Sequence, residues 1–344
     1  MPELSSLATP DPVGRPDPGP VPVVTVLVIS YNTRELTLEA LRSLRDQTTV
    51  PYELIVLDNA SSDGSAEAIA AEFPEARLIA SRDNLGFAGG NNVAARQARG
   101  RYILLLNPDT VVLDHAVDRL VAFAERRPEA AIWGGRTLYG DMTLNPTNAF
   151  GELTLWSLFC RASGLAVVFR RSEFFNPEGY GAWDRSTERE VGFVSGCFFL
   201  ITRALWQRLG GFDLTFVMYG EEADLCRRAR DQGLARPRMT PDATIIHYVG
   251  ASSKRRADKD LLVLKAKATT IRRHLPAWQR RPALALLALW PWSRMASGRL
   301  LARLAGRPQF AEAAAHWGAV WQRRADWLAG YPPAPADPAA AATG

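Results

Sequence analysis

Val23-Val24-Thr25-Val26-Leu27-Val28-Ile29-Ser30 is apolar or β-branched at nearly every position, and Tyr31-Asn32-Thr33 closes it. A strand with one wet face alternates apolar with polar. An unbroken run reads instead as a strand buried on both faces, the habit of parallel sheets covered by helices. Downstream the theme repeats. Asn32 or Thr33 is placed to cap a helix whose Leu36, Ala40, Leu41 and Leu44 share one face. Residues 53–57 form a second strand, 58–65 a polar turn and 66–73 a helix. Residues 77–80 are a third strand, 84–92 open another helix, and 102–106 are a fourth strand stopped by Asn107-Pro108-Asp109. Strands alternating with helices predict an α/β fold with a mostly parallel central sheet and right-handed crossovers. Ligands of such sheets sit beyond the carboxyl ends of the strands, where the turns 58–65, 84–92 and 107–109 all fall.

Past residue 133 the regularity fails. Residues 136–190 mix Trp156, Phe159, Phe169, Phe174, Phe175, Tyr180 and Trp183 with Pro and Gly at weak periodicity, which predicts an irregular insertion. Residues 191–201 return to strand, 210–213 are a turn, 221–232 a helix ended by Gly233, and 243–247 a last strand. Prolines crowd residues 1–22, and Pro and Ala dominate 331–344, so a disordered lead and tail are expected there.

Composition narrows the class. The chain has 344 residues, 47% apolar and 22% charged, enough to bury a large core. Its three cysteines (Cys160, Cys197, Cys226) form no metal-type pair and point to a reducing compartment. The longest strongly apolar run, 283–290, falls far short of the ~20 residues of a bilayer-crossing helix. Residues 1–20 lack the apolar region of a secretory signal. Net charge is +5, yet Lys254 to Arg307 carries fourteen bases against two acids, so an anionic surface suits that segment.

Several residues bear chemistry. Asp109, just beyond a buried strand, can reach a divalent ion held by diphosphate oxygens, or it can simply cap the turn. Asp58 and Asp63 flank a serine-rich turn, with Asp58 suited to a base or ribose and Asp63 to capping the next helix. Gly86, Gly89 and Gly90 precede a helix, but no G-x-G-x-x-G follows the first strand and no G-x-x-x-x-G-K-[ST] exists, so NAD and P-loop readings lose their support. Glu221, Glu222 and Asp224 open a helix, where one carboxylate can take a proton from an attacking hydroxyl or merely complement the dipole. His247 ends the last strand, as a structural or a liganding residue.

Together these stretches resemble the family 2 glycosyltransferases of the GT-A fold, in particular the bacterial rhamnosyltransferase-like branch. Matching segments are Val28-Ile29-Ser30-Tyr31-Asn32, residues 56–65, 84–91 and 106–109, Gly210-Gly211-Phe212-Asp213, residues 219–226, and His247. The resemblance implies inverting transfer from a nucleotide-sugar donor, assisted by Mg2+ or Mn2+. It places Ser30, Asn32, Asp58, Asn84, Gly89 and Asn107 on the donor, Asp109 on the metal, His247 on the metal or the diphosphate, and Glu222 as general base with Glu221 and Asp224 as rivals. Two departures stand out: Asn107 replaces the first Asp of an Asp-x-Asp motif, and Glu222 replaces the family's Asp.

The expected organisation is a GT-A domain over 23–253, with 136–190 on the acceptor side, then a basic amphipathic helical extension over 254–330. There Trp278, Leu284, Leu286, Leu287, Leu289, Trp290 and Trp292 interleave with arginines, which suits either an anionic membrane surface or packing on the domain. A glycan or polyprenyl-diphosphate-linked acceptor at the cytoplasmic face of the membrane follows from the first reading. A sugar-phosphate nucleotidyltransferase is disfavoured, because the first strand lacks a following Gly-rich basic loop. A nucleic-acid-binding protein is disfavoured by the acidic rim and the absence of a recognisable binding motif.

Overall fold

The computed structural model describes residues 21–248 and 256–333. Strand β1 (Val24–Ser30) is buried at all seven positions, and side-chain alternation explains why. Val24, Val26 and Val28 enter one core with Leu38, Leu41 and Leu44 of α1 (Arg34–Gln47) and Ile69 of α2 (Ser65–Glu72). Leu27 and Ile29 enter the opposite core with Ala88 and Ala94 of α3 (Gly86–Ala95). Each fully buried Val, Leu or Ile contributes roughly 1.5–3 kcal/mol, so β1 anchors both layers.

Strands β2 (Tyr52–Asp58), β3 (Arg77–Ala80) and β4 (Tyr102–Leu106) join β1 in parallel, as the sequence predicts. Two elements the periodicity misses follow: β5 (Thr110–Val112) and α4 (Ala116–Arg126). Next come β6 (Ile132–Leu138), β7 (Leu144–Asn145) and β8 (Ala149–Phe150). The stretch expected to be irregular then holds α5 (Leu155–Ser163) and α6 (Leu165–Val168) before β9 (Arg189–Glu190). Helix α5 starts from a Thr154/Ser157 capping box, a Ser-for-Glu variant of the usual signature. The apolar run 191–201 is two strands, β10 (Phe193–Val194) and β11 (Phe198–Thr202), broken at Ser195-Gly196-Cys197. Helices α7 (Arg203–Leu209) and α8 (Glu221–Asp231) precede β12 (Arg238–His247). The main sheet runs β3-β2-β1-β4-β11-β6-β12-β5, with β7 on β6 and β9 on β12.

The C-terminal region is helical as expected: α9 (Arg256–His274), α10 (Ala277–Ala305), α11 (Pro308–Gln322) and α12 (Arg324–Leu328). Leu261, Leu264, Ile271, Leu287, Val320 and Trp327 share a core with Leu158 of α5, so the insertion and the extension pack together. Leu287 is fully buried, and Leu284, Leu286 and Trp290 pack against that core, whereas Trp278, Leu289 and Trp292 stay exposed. The interleaved apolar residues therefore divide between packing and exposure. Most of the expected lead and tail, and the boundary at 253–254, lie outside the described residues. At the margins the expectation is corrected: Pro22 is buried, and Tyr331 packs on Phe216 with its hydroxyl donating to the Met218 carbonyl at 2.6 Å.

Glu178 ties insertion to extension. It is 9% exposed and accepts from Arg161 Nε of α5 at 3.1 Å and from Lys267 Nζ of α9. Burial alone would raise the Glu178 carboxyl, but Arg161 and Lys267 outweigh it and hold it at about 2. The cost of burial falls on Lys267, whose ammonium is pushed down by desolvation against the pull of Glu178. Glu178→Gln should destabilise the protein by roughly 3 kcal/mol in urea unfolding at neutral pH, by leaving two half-buried cations without their carboxylate. Because the folded carboxyl titrates below its usual 4.5, this contribution is complete above pH 4.5 and fades as pH falls toward about 2. Identical midpoints for variant and wild type would remove Glu178 from that role.

Candidate active site

Strand register builds the rim. Ser30 lies beside Asp58, and Asp58 beside Ala80, so the first three parallel strands end together. Asn59 N–H donates to the Ser30 carbonyl at 2.8 Å, and its side chain brackets the start of α3, accepting from Leu85 N and donating to the Gly86 carbonyl. Asp58 is 3% exposed; its Oδ2 accepts from Ser61 N at 3.0 Å, while its buried Oδ1 has no partner among the described residues. Asn32 (φ 52°) joins the two loops, with its N–H on Ser61 Oγ and its Oδ1 accepting from Ser62 N at 2.8 Å. An open cavity of about 610 Å³ flanks this turn, lined by Arg34, Ser61, Ser62, Gly64, Glu67 and Ala68.

Two expectations change here. Neither Asn32 nor Thr33 caps α1; Asp63 Oδ2 accepts from Arg34 N at 3.0 Å, while its Oδ1 accepts from Ser65 N, so one carboxylate serves two helix starts. Ser30 is wholly buried with its hydroxyl on Thr37 Oγ1 at 3.0 Å, turned into α1 rather than toward the rim. Asn84 is exposed and accepts from Gly86 N, and Gly89 is half-buried in the first turns of α3.

Across the rim, β12 pairs antiparallel with β5 so that His247 lies opposite Thr110. That register brings His247 Nε2 to 3.3 Å from Asp109 Oδ1 and 3.4 Å from Asn107 Nδ2. Asp109 is 9% exposed, and His247 Nδ1 is buried with no partner among the described residues. Burial disfavours the His247 imidazolium, yet Cys197 and Asp109 outweigh it and push its pKa up to about 10.

Glu222 reaches the same region through the break in the apolar run. Its Oε1 accepts from Gly196 N at 2.8 Å, and the next residue, Cys197, contacts His247 and accepts from Asn107 N through its carbonyl. Glu222 and His247 are thus both tied to the Gly196–Cys197 stretch, one through the Gly196 N–H and the other through the Cys197 side chain. Only glycine fits at 196: an added Cβ would lie 2.9 Å from Glu222 Oε1 and 2.7 Å from the Phe87 ring. Gly220, at φ 97°, turns the chain into α8 just before the acids.

The three acids of α8 have separate environments. Asp224 is fully buried, with Arg228 Nε on one oxygen at 2.7 Å and His274 Nε2 of α9 on the other at 2.8 Å. Against burial, those partners lower its pKa. Asp224 is therefore a strut between α8 and α9, with no oxygen free for a substrate. Glu221 is 3% exposed, its Oε2 has no partner among the described residues, and burial together with the charge of Glu222 holds its carboxyl well above the usual range. Glu222 is half-buried, and its carboxyl is raised by burial. It alone of the three combines a raised pKa with access.

Asp109 and His247 also form a donor pair for a divalent cation. Among the described residues no group of three or more His, Cys, Asp or Glu side chains assembles for a metal. One carboxylate and one imidazole, with Asn107 beside them, are donors of the kind Mg2+ or Mn2+ takes, with the imidazole giving up to the ion the proton that its raised pKa otherwise keeps on it. The donor set fits such an ion.

The family model for Glycosyl transferase family 2 matches residues 25–210. The N-acetylglucosaminyl-diphospho-decaprenol L-rhamnosyltransferase of Mycobacterium tuberculosis is 25% identical over 251 residues, covering 68% of this chain and 78% of the relative. The Escherichia coli UDP-Glc:alpha-D-GlcNAc-diphosphoundecaprenol beta-1,3-glucosyltransferase WfaP is 28% identical over 175 residues, covering 47% of this chain and 68% of the relative. Among solved structures, the mannosyltransferase PcManGT from Pyrobaculum calidifontis in complex with GDP-Man and Mn2+ superposes with a TM-score of 0.57 at 20% identity. That likeness covers 92% of this chain and 89% of the other and supports the GT-A architecture.

Proposed function

The chain belongs to glycosyl transferase family 2, and on that premise we propose that it transfers a sugar from a nucleoside diphosphate donor to a hydroxyl of a lipid-linked glycan, with inversion. The observation that carries this reading is the meeting of Asp109, His247 and Glu222 around the Ser195-Gly196-Cys197 break. A base on one side of a sugar and a departing diphosphate on the other is the arrangement of a single displacement, which inverts the anomeric carbon.

Each residue then has a task. The unpartnered Asp58 Oδ1 accepts from a base N–H or a ribose hydroxyl, and Asn32 and Asn59 hold its loop. Asp109 and His247 would hold Mg2+ or Mn2+ near the diphosphate, His247 giving up its proton as the ion binds, with Asn107 alongside. When bound, such an ion neutralises charge on the leaving group. Glu222 removes the proton of the acceptor hydroxyl, its raised pKa bringing it closer to neutral pH, where a general base is most effective.

The mycobacterial and E. coli relatives are both named for acceptors in which N-acetylglucosamine is diphosphate-linked to a polyprenol, which supports that acceptor class for surface-polysaccharide synthesis. The mycobacterial relative favours L-rhamnose, and hence a thymidine diphosphate donor. We place the encounter with that acceptor at the cytoplasmic face of the membrane; no helix among the described residues is long and apolar enough to cross one.

Thermal shifts with dTDP, UDP and GDP, each with and without Mn2+, test the donor. One nucleotide, dTDP by this reading, should raise the melting temperature far more with Mn2+ than without. Stabilisation by none of the three would sink the assignment of a nucleotide-sugar donor.

A further inference from the structure

Helix α10 has two apolar faces, of which one is used in packing. Ala283, Leu287, Pro291, Met295 and Gly298 recur at helical spacing and are buried. The helix packs against α5, α9 and α11. Around the other side, Trp278 is 72% exposed, Leu289 40%, Trp292 45%, Leu300 57% and Leu304 75%. At 3.6 residues per turn these five fall within an arc of about 120° and extend over roughly 39 Å.

Charge distinguishes this face further. The helix carries five arginines and no acid. Arg280 donates to the Leu275 carbonyl and Arg294 to the Arg161 carbonyl. Arg281, Arg299 and Arg303 have no ion-pair partner among the described residues. On α10 arginines stand beside Trp278 at one end and among Leu300 and Leu304 at the other with no acid between them, the composition of a helix lying in the headgroup region of a bilayer. The neighbouring α6 adds exposed Val167, Val168 and Phe169, followed by exposed Arg170 and Arg171.

We propose that the outward face of α10 docks on an anionic phospholipid surface, with Trp278, Leu300 and Leu304 entering the interface and Arg281, Arg299 and Arg303 meeting lipid phosphates. This rests on the lipid-linked acceptor of the preceding subsection, since an enzyme using such an acceptor works where its lipid tail is anchored. The bilayer is engaged in-plane, because no described helix spans it.

Flotation of the full-length protein tests this, using phosphatidylcholine vesicles with and without phosphatidylglycerol. Binding should require phosphatidylglycerol and be released by high salt. Each arginine near an anionic surface is worth about fivefold in partitioning, so Arg281→Ala/Arg299→Ala/Arg303→Ala should bind on the order of 100-fold more weakly. Leu300→Ser/Leu304→Ser should also lose binding, with an unchanged melting temperature because both side chains are exposed. Absence of flotation, variants floating like the wild type, or a dimer that the Leu variants split into monomers would each overturn the proposal. Turnover in detergent separates it from its premise. Flotation as described without use of any polyprenyl-diphosphate-linked acceptor leaves the docking face standing and removes the acceptor, whereas detergent turnover without flotation does the reverse.

Discussion

Glu222→Gln should lower kcat by about 10²–10⁴-fold while leaving metal-dependent donor binding intact. The amide preserves shape and can still accept from Gly196 N, so the 2.8 Å contact that fixes the side chain survives. What it loses is the ability to take a proton. In the wild type, burial raises the Glu222 carboxyl above its usual 4.5, so the active carboxylate is lost on acidification at a higher pH than an ordinary Glu would show. Turnover should therefore rise with pH through an acid limb lying above 4.5, and the variant's residual rate should lack that limb. Near-normal kcat in Glu222→Gln, with collapse in Glu221→Gln, would move the base one residue upstream.

The same helix shows which links the sequence carries and which it hides. Acids at the start of α8 are visible in the sequence. Their division of labour is not, because it depends on partners remote in sequence. Asp224 is claimed by His274, fifty residues later, and Arg273 of α9 also pairs with Asp213, the last residue of the Gly-Gly-Phe-Asp turn. The C-terminal helices thereby brace the helix bearing Glu222, a connection that charge counting alone reads as a detachable basic extension.

The parallel half of the sheet is legible because β1 needs two buried faces and can find them only between helix layers. Its rim follows from topology. The bridging peptide is less visible: Ser195-Gly196-Cys197 sits inside an apolar run that reads as one strand, and the close approach of Glu222 and Phe87 at Gly196 is set by packing from α8 and α3. Helix α5 is missed for a related reason. Its cap uses Ser157 where the familiar box has Glu or Gln, and its aromatic residues blur the period. Asn59 carries no signal of its own within the turn 58–65, yet its side chain holds the start of α3 to the end of β2.

Asp109→Ala should abolish the Mn2+-dependent part of donor binding and cut turnover on the order of 10³-fold, given the several kcal/mol a metal contributes to charge stabilisation. The substitution is chemically narrow. The Asp109 carbonyl still accepts from Tyr248 N at 3.0 Å, and Thr110 Oγ1 still donates to the Asn107 carbonyl at 2.7 Å, so the turn keeps its backbone frame. What disappears is the carboxylate beside His247, and with it the only anionic side chain of the donor pair. Asn107 cannot replace it: a neutral amide offers one weaker oxygen, and its Nδ2 already lies 3.4 Å from the imidazole. Asn107→Ala should consequently cost far less than Asp109→Ala. Retention by Asp109→Ala of a Mn2+-enhanced thermal shift with the cognate nucleotide would place the metal elsewhere and leave Asp109 as a turn residue, as its position after Pro108 would also allow.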